Sequence, residues 1–376
     1  MSDLSSAPLF SSTAPQLPPH WYFDPAIYEV EKRLLFDCGP GYAGHELMVP
    51  NVGDYQAYDW LGNAKALVRN EGGVELLSNI CRHRQAVMLK GRGTARNIVC
   101  PLHRWTYALD GRLLGAPQFP ENPCLNLAKS GLTSWNGLLF EGPRSVAADL
   151  RNLGVRDKLD FSGFVFDRID VAEYACNWKT FIEVYLEDYH VEPFHPGLGN
   201  FVDVGDLKWE FGDWYSVQTC GVKRALAKPG SAAYRRWHEQ VLRLEDGAKP
   251  DHGAIWLTYF PNIMVEWYPH SLVVSTLIPR GPEACTNVVE FYYPEEIALF
   301  EREFVEAEQA AYRETAVEDA EIIERMTQGR RALVQQGLHE VGPYQTPLED
   351  GMRHFHEFVR REVAPHVLAA PCTTPS

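Results

Sequence analysis

The period of the hydrophobic positions changes twice along this chain of 376 residues. Residues 1 to about 20 are polar and rich in Pro and Ser, which predicts a flexible extension. Residues 25–35 then place Ala26, Tyr28, Val30, Leu34 and Leu35 at the spacing of a short helix. From His45 to about Pro117 the pattern is one of short runs broken by turn residues, and Gly72-Gly73 between two alternating runs reads as a hairpin. Residues 118–165 continue irregularly, with strands at GLLFEG and GFVFDRI. After Asp170 the period lengthens. Over 171–189, Trp178, Phe181, Ile182, Tyr185, Leu186 and Tyr189 recur at helical spacing and predict an amphipathic helix. The runs IWLTYF, IMVEWY, SLVVSTLIP and NVVEFYY then predict an antiparallel sheet. Pro294 opens a long helix over about 295–331, with Phe300, Phe304, Ala307 and Ala311 inward. The result is an α+β chain: an extension and short helix at 1–40, a small all-β domain at 41–150, and a sheet with long helices at 151–376.

Composition adds limits rather than detail. At 45% hydrophobic and 23% charged the chain is ordinary globular material. A net charge of −15 repels phosphate backbones, so nucleic acid is not an expected partner. The N-terminus has neither a basic start nor an apolar core, and the longest apolar run, 271–278, is too short to cross a bilayer. The eight cysteines are scattered without a paired framework, which is cytosolic usage. A cytoplasmic protein without a membrane partner is therefore expected.

The chemistry begins at CRHRQAVMLKGRGTARNIVCPLHRW. Here Cys81-x-His83 is followed, after sixteen residues, by Cys100-x-x-His103. Two thiolates and two imidazoles at short paired spacings make a metal site. Zinc sites usually group like ligands, whereas each half here supplies one Cys and one His. That order suits a [2Fe–2S] cluster of Rieske type, with both Cys on one iron and both His on the other; structural zinc is the alternative.

A second constellation follows the amphipathic helix. Glu183, Glu187 and His190 stand at i, i+4 and i+7, and His195 comes five residues later. Positions five apart point about 140° apart on a helix, so a shared metal requires a break, which Pro193 and Pro196 supply. Two His and one carboxylate with open positions form the facial triad of non-heme Fe(II) oxygenases; ordinary structural histidines are the alternative. Asp319 is the candidate third ligand, because it shares a helix face with Ile322, Ile323 and Met326, where an ionised carboxylate needs a partner. A salt bridge to a core-facing Arg would also serve. Glu318 is adjacent but rotates off that face.

The run NWKTFIEVYLEDYHVEPFHP, 177–196, resembles the iron-binding motif of the Rieske non-heme iron oxygenases, the aromatic-ring-hydroxylating α-subunit family. Glu318-Asp319 followed by Gln328-Gly329 resembles that family's late carboxylate motif, and the likeness spans roughly residues 40–335. The resemblance implies a helix-grip catalytic domain, mononuclear Fe(II) at His190, His195 and Asp319, and a ring-shaped homotrimer in which one subunit's cluster faces its neighbour's iron. It also implies a bridging carboxylate at Glu187, with Asp188 as rival; many members have Asp at the bridge, and carnitine- and choline-type oxygenases have Glu. The common Asn is Val184 here, and Arg104 stands where many relatives have Gly. No nucleotide-binding glycine motif or plant-type cysteine run is present, so electrons are expected from a separate NAD(P)H-dependent reductase or ferredoxin. The implied reaction is O2-dependent hydroxylation of a small organic, aromatic substrate. Trp214, Trp256, Tyr259, Phe260, Trp267 and Tyr268 could line a pocket for a ring, form a cage for a quaternary ammonium compound, or be sheet core. A Rieske electron carrier is the remote alternative.

Overall fold

The structure is a computed structural model that describes residues 15–223 and 230–368. Two sheet systems divide the work. The first half is built of short antiparallel strands. A five-stranded sheet runs in the order Arg92–Thr94, Asp54–Ala57, Lys65–Asn70, Gly73–Ser78, Lys129–Ser130. Beside it lies a three-stranded sheet of Ile98–Val99, Thr106–Tyr107 and Leu113–Gly115, and a third sheet joins Gly41–His45 to Leu138–Glu141 and Leu132–Trp135. The predicted hairpin at Gly72-Gly73 is present, with Asn70 opposite Gly73.

The second half is organised on a seven-stranded antiparallel sheet. Its order is Phe164–Tyr174, Ala284–Pro294, Ser271–Gly281, Ile263–Tyr268, Ala254–Tyr259, Tyr215–Val222, Val202–Gly212. Cross-strand pairing places Trp256, Glu266, Val273, Phe291 and Arg168 in one row, on the face toward the long helices. Leu257, Val265, Val274 and Glu290 form the adjacent row, whose side chains take the opposite face. That face packs with Phe140, Leu150 and Phe161 against the first half. Burial on both faces explains why the strands read as nearly continuous apolar runs.

Three helical expectations change. Residues 171–174 are strand, because Phe164–Tyr174 pairs with Ala284–Pro294 along its length. The helix is shorter, Trp178–Tyr185, starting where the Asn177 side chain accepts from the Lys179 N–H. The helix expected over 295–331 is two, Glu295–Phe300 and Arg302–Gln335, separated at Glu301, whose φ of −119° and ψ of 50° are not helical. Phe300, expected inward, is 80% exposed beside that break.

The flexible extension is also revised where it is described; residues 1–14 lie outside the described set. Leu17, Trp21 and Tyr22 are buried with Trp178, Ile182 and Phe355. Tyr22 donates to Glu183, which also takes Arg330 at 2.5 Å and His356 at 2.8 Å. One buried carboxylate thus ties the N-terminal turn to the long helix and to Asp350–Leu368. No described helix is long and apolar enough to cross a membrane.

Candidate metal centres and the cavity between sheet and helix

The two loops that carry Cys81 and Cys100 are built as copies of one turn. The Cys81 N–H donates to Ala86 and its carbonyl accepts from Gln85; the Cys100 N–H donates to Trp105 and its carbonyl accepts from Arg104. The fourth residue after each cysteine is left-handed, Gln85 at φ 52° and Arg104 at φ 60°. Position 104 thus takes a positive φ, which glycine adopts without steric cost and Arg104 adopts here. Both thiols are 2% exposed, whereas His103 lies at the surface and its ring centroid is 4.7 Å from that of His83. His83 stacks on Trp105. Burial would raise the Cys81 thiol, but N–H groups of His83 and Arg84 and the Tyr107 hydroxyl outweigh it and lower the pKa. Thiols at the floor and imidazoles at the lip fit a Rieske cluster.

The second constellation forms where the helix ends. His190 is the N-cap and His195 the C-cap of a single turn, Val191–Phe194, which solves the five-residue spacing. Asp319 comes from the long helix Arg302–Gln335, and one donor atom from each of the three lies within 4.8 Å of the others. The Nε2 atoms of His190 and His195 converge on Asp319 Oδ1 at 3.4 and 2.9 Å. Each Nδ1 turns outward to its own carboxylate: His190 to Glu187 at 2.5 Å, His195 to Glu318 at 2.7 Å. An imidazole whose second nitrogen is fixed by a carboxylate is the usual setting of a metal-ligating histidine. Burial would lower His190, yet the bonds to Asp319 and Glu187 raise it to about 10. Burial likewise raises Asp319, but the two imidazoles outweigh it and hold the carboxyl below its ordinary value. The donor set fits a divalent iron with an open side.

Glu187 therefore reaches His190 as the spacing suggested, although 186–190 is not helical; its other oxygen accepts the His190 backbone N–H at 3.1 Å. Asp188 turns the other way. It is 2% exposed, and Cys220 Sγ stands 3.9 Å from its carboxylate. Burial, aided by the charge of Glu187, pushes Asp188 up to about 7. Glu183 leaves the stripe for Arg330 and His356. Glu318, set aside on helix rotation, is the partner of His195.

The open side of the triad faces a cavity of about 650 Å³ between sheet and long helix. Of the aromatic residues singled out above, Trp256 and Tyr268 line it. Trp214 packs under Arg144 and against Phe358, Tyr259 donates to Asp149, Phe260 packs at a tilt against Phe358, and Trp267 contacts His252. Tyr185, Trp237, Phe291 and Tyr312 are among the other aromatic residues of the lining. Besides Asp188, two buried carboxylates line the cavity among these rings, Glu266 and Glu308, 1% and 2% exposed. Among the described residues their hydrogen-bond partners are hydroxyls. Glu266 accepts from Tyr312 at 2.9 Å and Tyr268 at 2.7 Å; Glu308 accepts from Tyr293 at 2.6 Å and Ser271 at 3.3 Å. Burial pushes both carboxyls up to about 7. The sequence did signal them: a Glu stands inside the apolar run IMVEWY, and Glu308 sits between Ala307 and Ala311 on the inward helix face.

A family model described as the Rieske [2Fe-2S] domain matches residues 42–131, and one described as the ring hydroxylating alpha subunit (catalytic domain) matches 161–364. The putrescine 2-hydroxylase of Ralstonia nicotianae is 63% identical over 361 residues, 96% of this chain and 99% of that protein. The enzyme of that name from Bordetella bronchiseptica is 56% identical, over 92% of this chain and 84% of the other. Among solved structures, a quaternary ammonium Rieske monooxygenase superposes with a TM-score of 0.73 at 19% identity, covering 93% of this chain and 96% of that one.

Proposed function

The chain belongs to the ring-hydroxylating α-subunit family of Rieske oxygenases, and from that premise we propose that it hydroxylates a short aliphatic diamine of the putrescine class. The overall reaction takes one C–H bond, O2, two electrons and two protons to an alcohol and water, with electrons from a separate reductase or ferredoxin. The observation that carries the reading is the set of buried carboxylates lining the cavity beside the triad, Glu266 and Glu308 together with Asp188. Ionised carboxylates buried among aromatic rings are costly, and these border a cavity in which a cationic substrate can match them. An aromatic hydrocarbon brings no cation, so the expected aromatic substrate gives way to a cationic one. A quaternary ammonium compound brings charge but no N–H donors, whereas a primary ammonium brings three. The similarity to two putrescine 2-hydroxylases supports the same choice.

In this reading Cys81, His83, Cys100 and His103, within a domain at 41–150, hold the [2Fe–2S] cluster. His190, His195 and Asp319, within a domain at 151–376, hold the mononuclear iron. Bound iron supplies O2 activation. The residues of the chain do the rest. Glu187 and Glu318 fix the tautomers of the two ligating imidazoles, so each presents Nε2 to the metal. Glu187 also offers the polar link by which a neighbour's His103 in a homotrimer would connect to His190. Trp256, Phe291 and Val289 exclude water and hold the methylene chain.

The test is O2 uptake by the purified chain with a surrogate reductase. Putrescine should stimulate uptake and gain one oxygen by mass, while benzoate-type acids and carnitine should not. Uptake driven by an aromatic acid, with putrescine inert, would overturn the assignment.

A further inference from the structure

The cavity wall also indicates how such a substrate is placed, an inference that rests on the diamine reading above. Glu308, Tyr312, Thr315 and Asp319 recur at i, i+4, i+7 and i+11 on the long helix, and all four line the cavity. At 1.5 Å per residue, Tyr312 lies roughly 10 Å along the axis from Asp319, and Glu308 roughly 16 Å. Glu266 reaches this face from the sheet, bonded to Tyr312. It is fixed from its own strand by Tyr268, whose hydroxyl in turn accepts from Trp256 Nε1 at 2.8 Å. This carboxylate is therefore held rigidly, among rings, about two helical turns from the iron ligand. The three bonds from carbon 2 of 1,4-diaminobutane to its far nitrogen span roughly 4 Å when extended, to which the approach of carbon 2 to the triad and the hydrogen bond to a carboxylate add. With carbon 2 presented at the triad, the far ammonium falls within reach of Glu266, while Glu308 stands a further turn away.

We propose that Glu266 binds the ammonium group remote from the iron and so determines both chain length and the carbon that is presented. Tyr268 and Tyr312 are positioning residues, holding the carboxylate with one oxygen each. Trp256 and Tyr268 add the ring faces that favour an adjacent cation. The charge of Asp319 is felt at Glu266, consistent with the two sharing one cavity.

The test compares 1,4-diaminobutane, 1,5-diaminopentane and 1-aminobutane as substrates of the reconstituted enzyme, with calorimetric binding of 1,4-diaminobutane as a second readout. In Glu266→Gln the KM and Kd for 1,4-diaminobutane should rise roughly 30-fold or more, the cost of leaving a charge unpaired. The preference for 1,4-diaminobutane over 1-aminobutane should collapse, and the product should no longer be hydroxylated at a single carbon. Glu266→Asp keeps the charge but withdraws it by one methylene, and should shift preference toward 1,5-diaminopentane. A merely structural glutamate would not produce that shift. Glu290→Gln is the matched control. Glu290 is also buried and bonded to two tyrosines, Tyr42 and Tyr292, but on the opposite sheet face, so its variant should leave KM unchanged. If the native enzyme hydroxylates 1,4-diaminobutane and Glu266→Gln keeps its KM and selectivity, the anchor is wrong and the reaction stands. Should Glu266→Gln not fold, an unshifted length preference in Glu266→Asp overturns the anchor alone. If the native enzyme acts on no diamine, both fall together.

Discussion

Replacing Glu183 by Gln should cost the protein roughly 3 kcal/mol, and two independent routes lead to that figure. Glu183 is fully buried and receives Arg330 at 2.5 Å, His356 at 2.8 Å and the Tyr22 hydroxyl. Removing one partner of a buried ion pair strands the other, a loss of about 3–5 kcal/mol. The second route is protonation. Burial alone would raise this carboxyl, but Arg330 foremost, then His356 and Tyr22, lower it from 4.5 to about 2. At about 1.36 kcal/mol per pH unit of displacement, that is roughly 3 kcal/mol favouring the folded state. Because the folded value is the lower one, this contribution is complete above about pH 4.5 and disappears as pH falls toward 2. Urea titrations of wild type and Glu183→Gln should therefore differ by roughly 3 kcal/mol at pH 7 and converge as the pH approaches 2. Adding Arg330→Met should recover more than half the loss, since an apolar pair avoids the stranded charge. A difference below about 1 kcal/mol at pH 7, or one that does not depend on pH, would refute the reasoning.

Other outcomes follow from the sites. The purified protein should carry three Fe and two acid-labile sulfides per chain, the sum of one [2Fe–2S] cluster and one mononuclear site; metal and sulfide analysis of Asp319→Ala should lose the third iron alone, and Cys100→Ala the cluster. Glu187→Gln should retain both metals and a reducible cluster, yet pass electrons to the mononuclear iron at least 10–100-fold more slowly in single-turnover kinetics. Asp188→Asn, facing Cys220, should transfer normally. The apparent KM for a diamine should rise as pH drops below about 7, because burial holds Glu266 near 7 and only its ionised form pairs with an ammonium; in Glu266→Gln that limb of the pH profile should flatten.

The metal-site residues were legible because their chemistry is local. Cys81, His83, Cys100 and His103 announce themselves by type and spacing, and Pro193 and Pro196 announce the break that lets His190 and His195 converge. The sheet strands were legible as apolar runs. What the sequence concealed depended on tertiary contact. Residues 171–174 read as helix by periodicity, but pairing with Ala284–Pro294 overrides it. Glu318 rotates off the apolar face of its helix and still meets His195, because that histidine caps a separate turn. Glu183 shares a stripe with Glu187 and His190 on an ideal helix; the helix stops at Tyr185, and the stripe divides. The aromatic runs could not be sorted for a related reason. Alternation sends Trp256 and Tyr268 to the cavity and Tyr259 to the opposite face, and composition alone cannot distinguish them.

The most direct test of the account is the source and destination of oxygen in the product. Under 18O2, with a surrogate reductase and 1,4-diaminobutane, the account predicts a hydroxylated diamine that carries one 18O and retains both amino groups. An unlabelled hydroxyl, or loss of an amino group as aldehyde and ammonia, would contradict it.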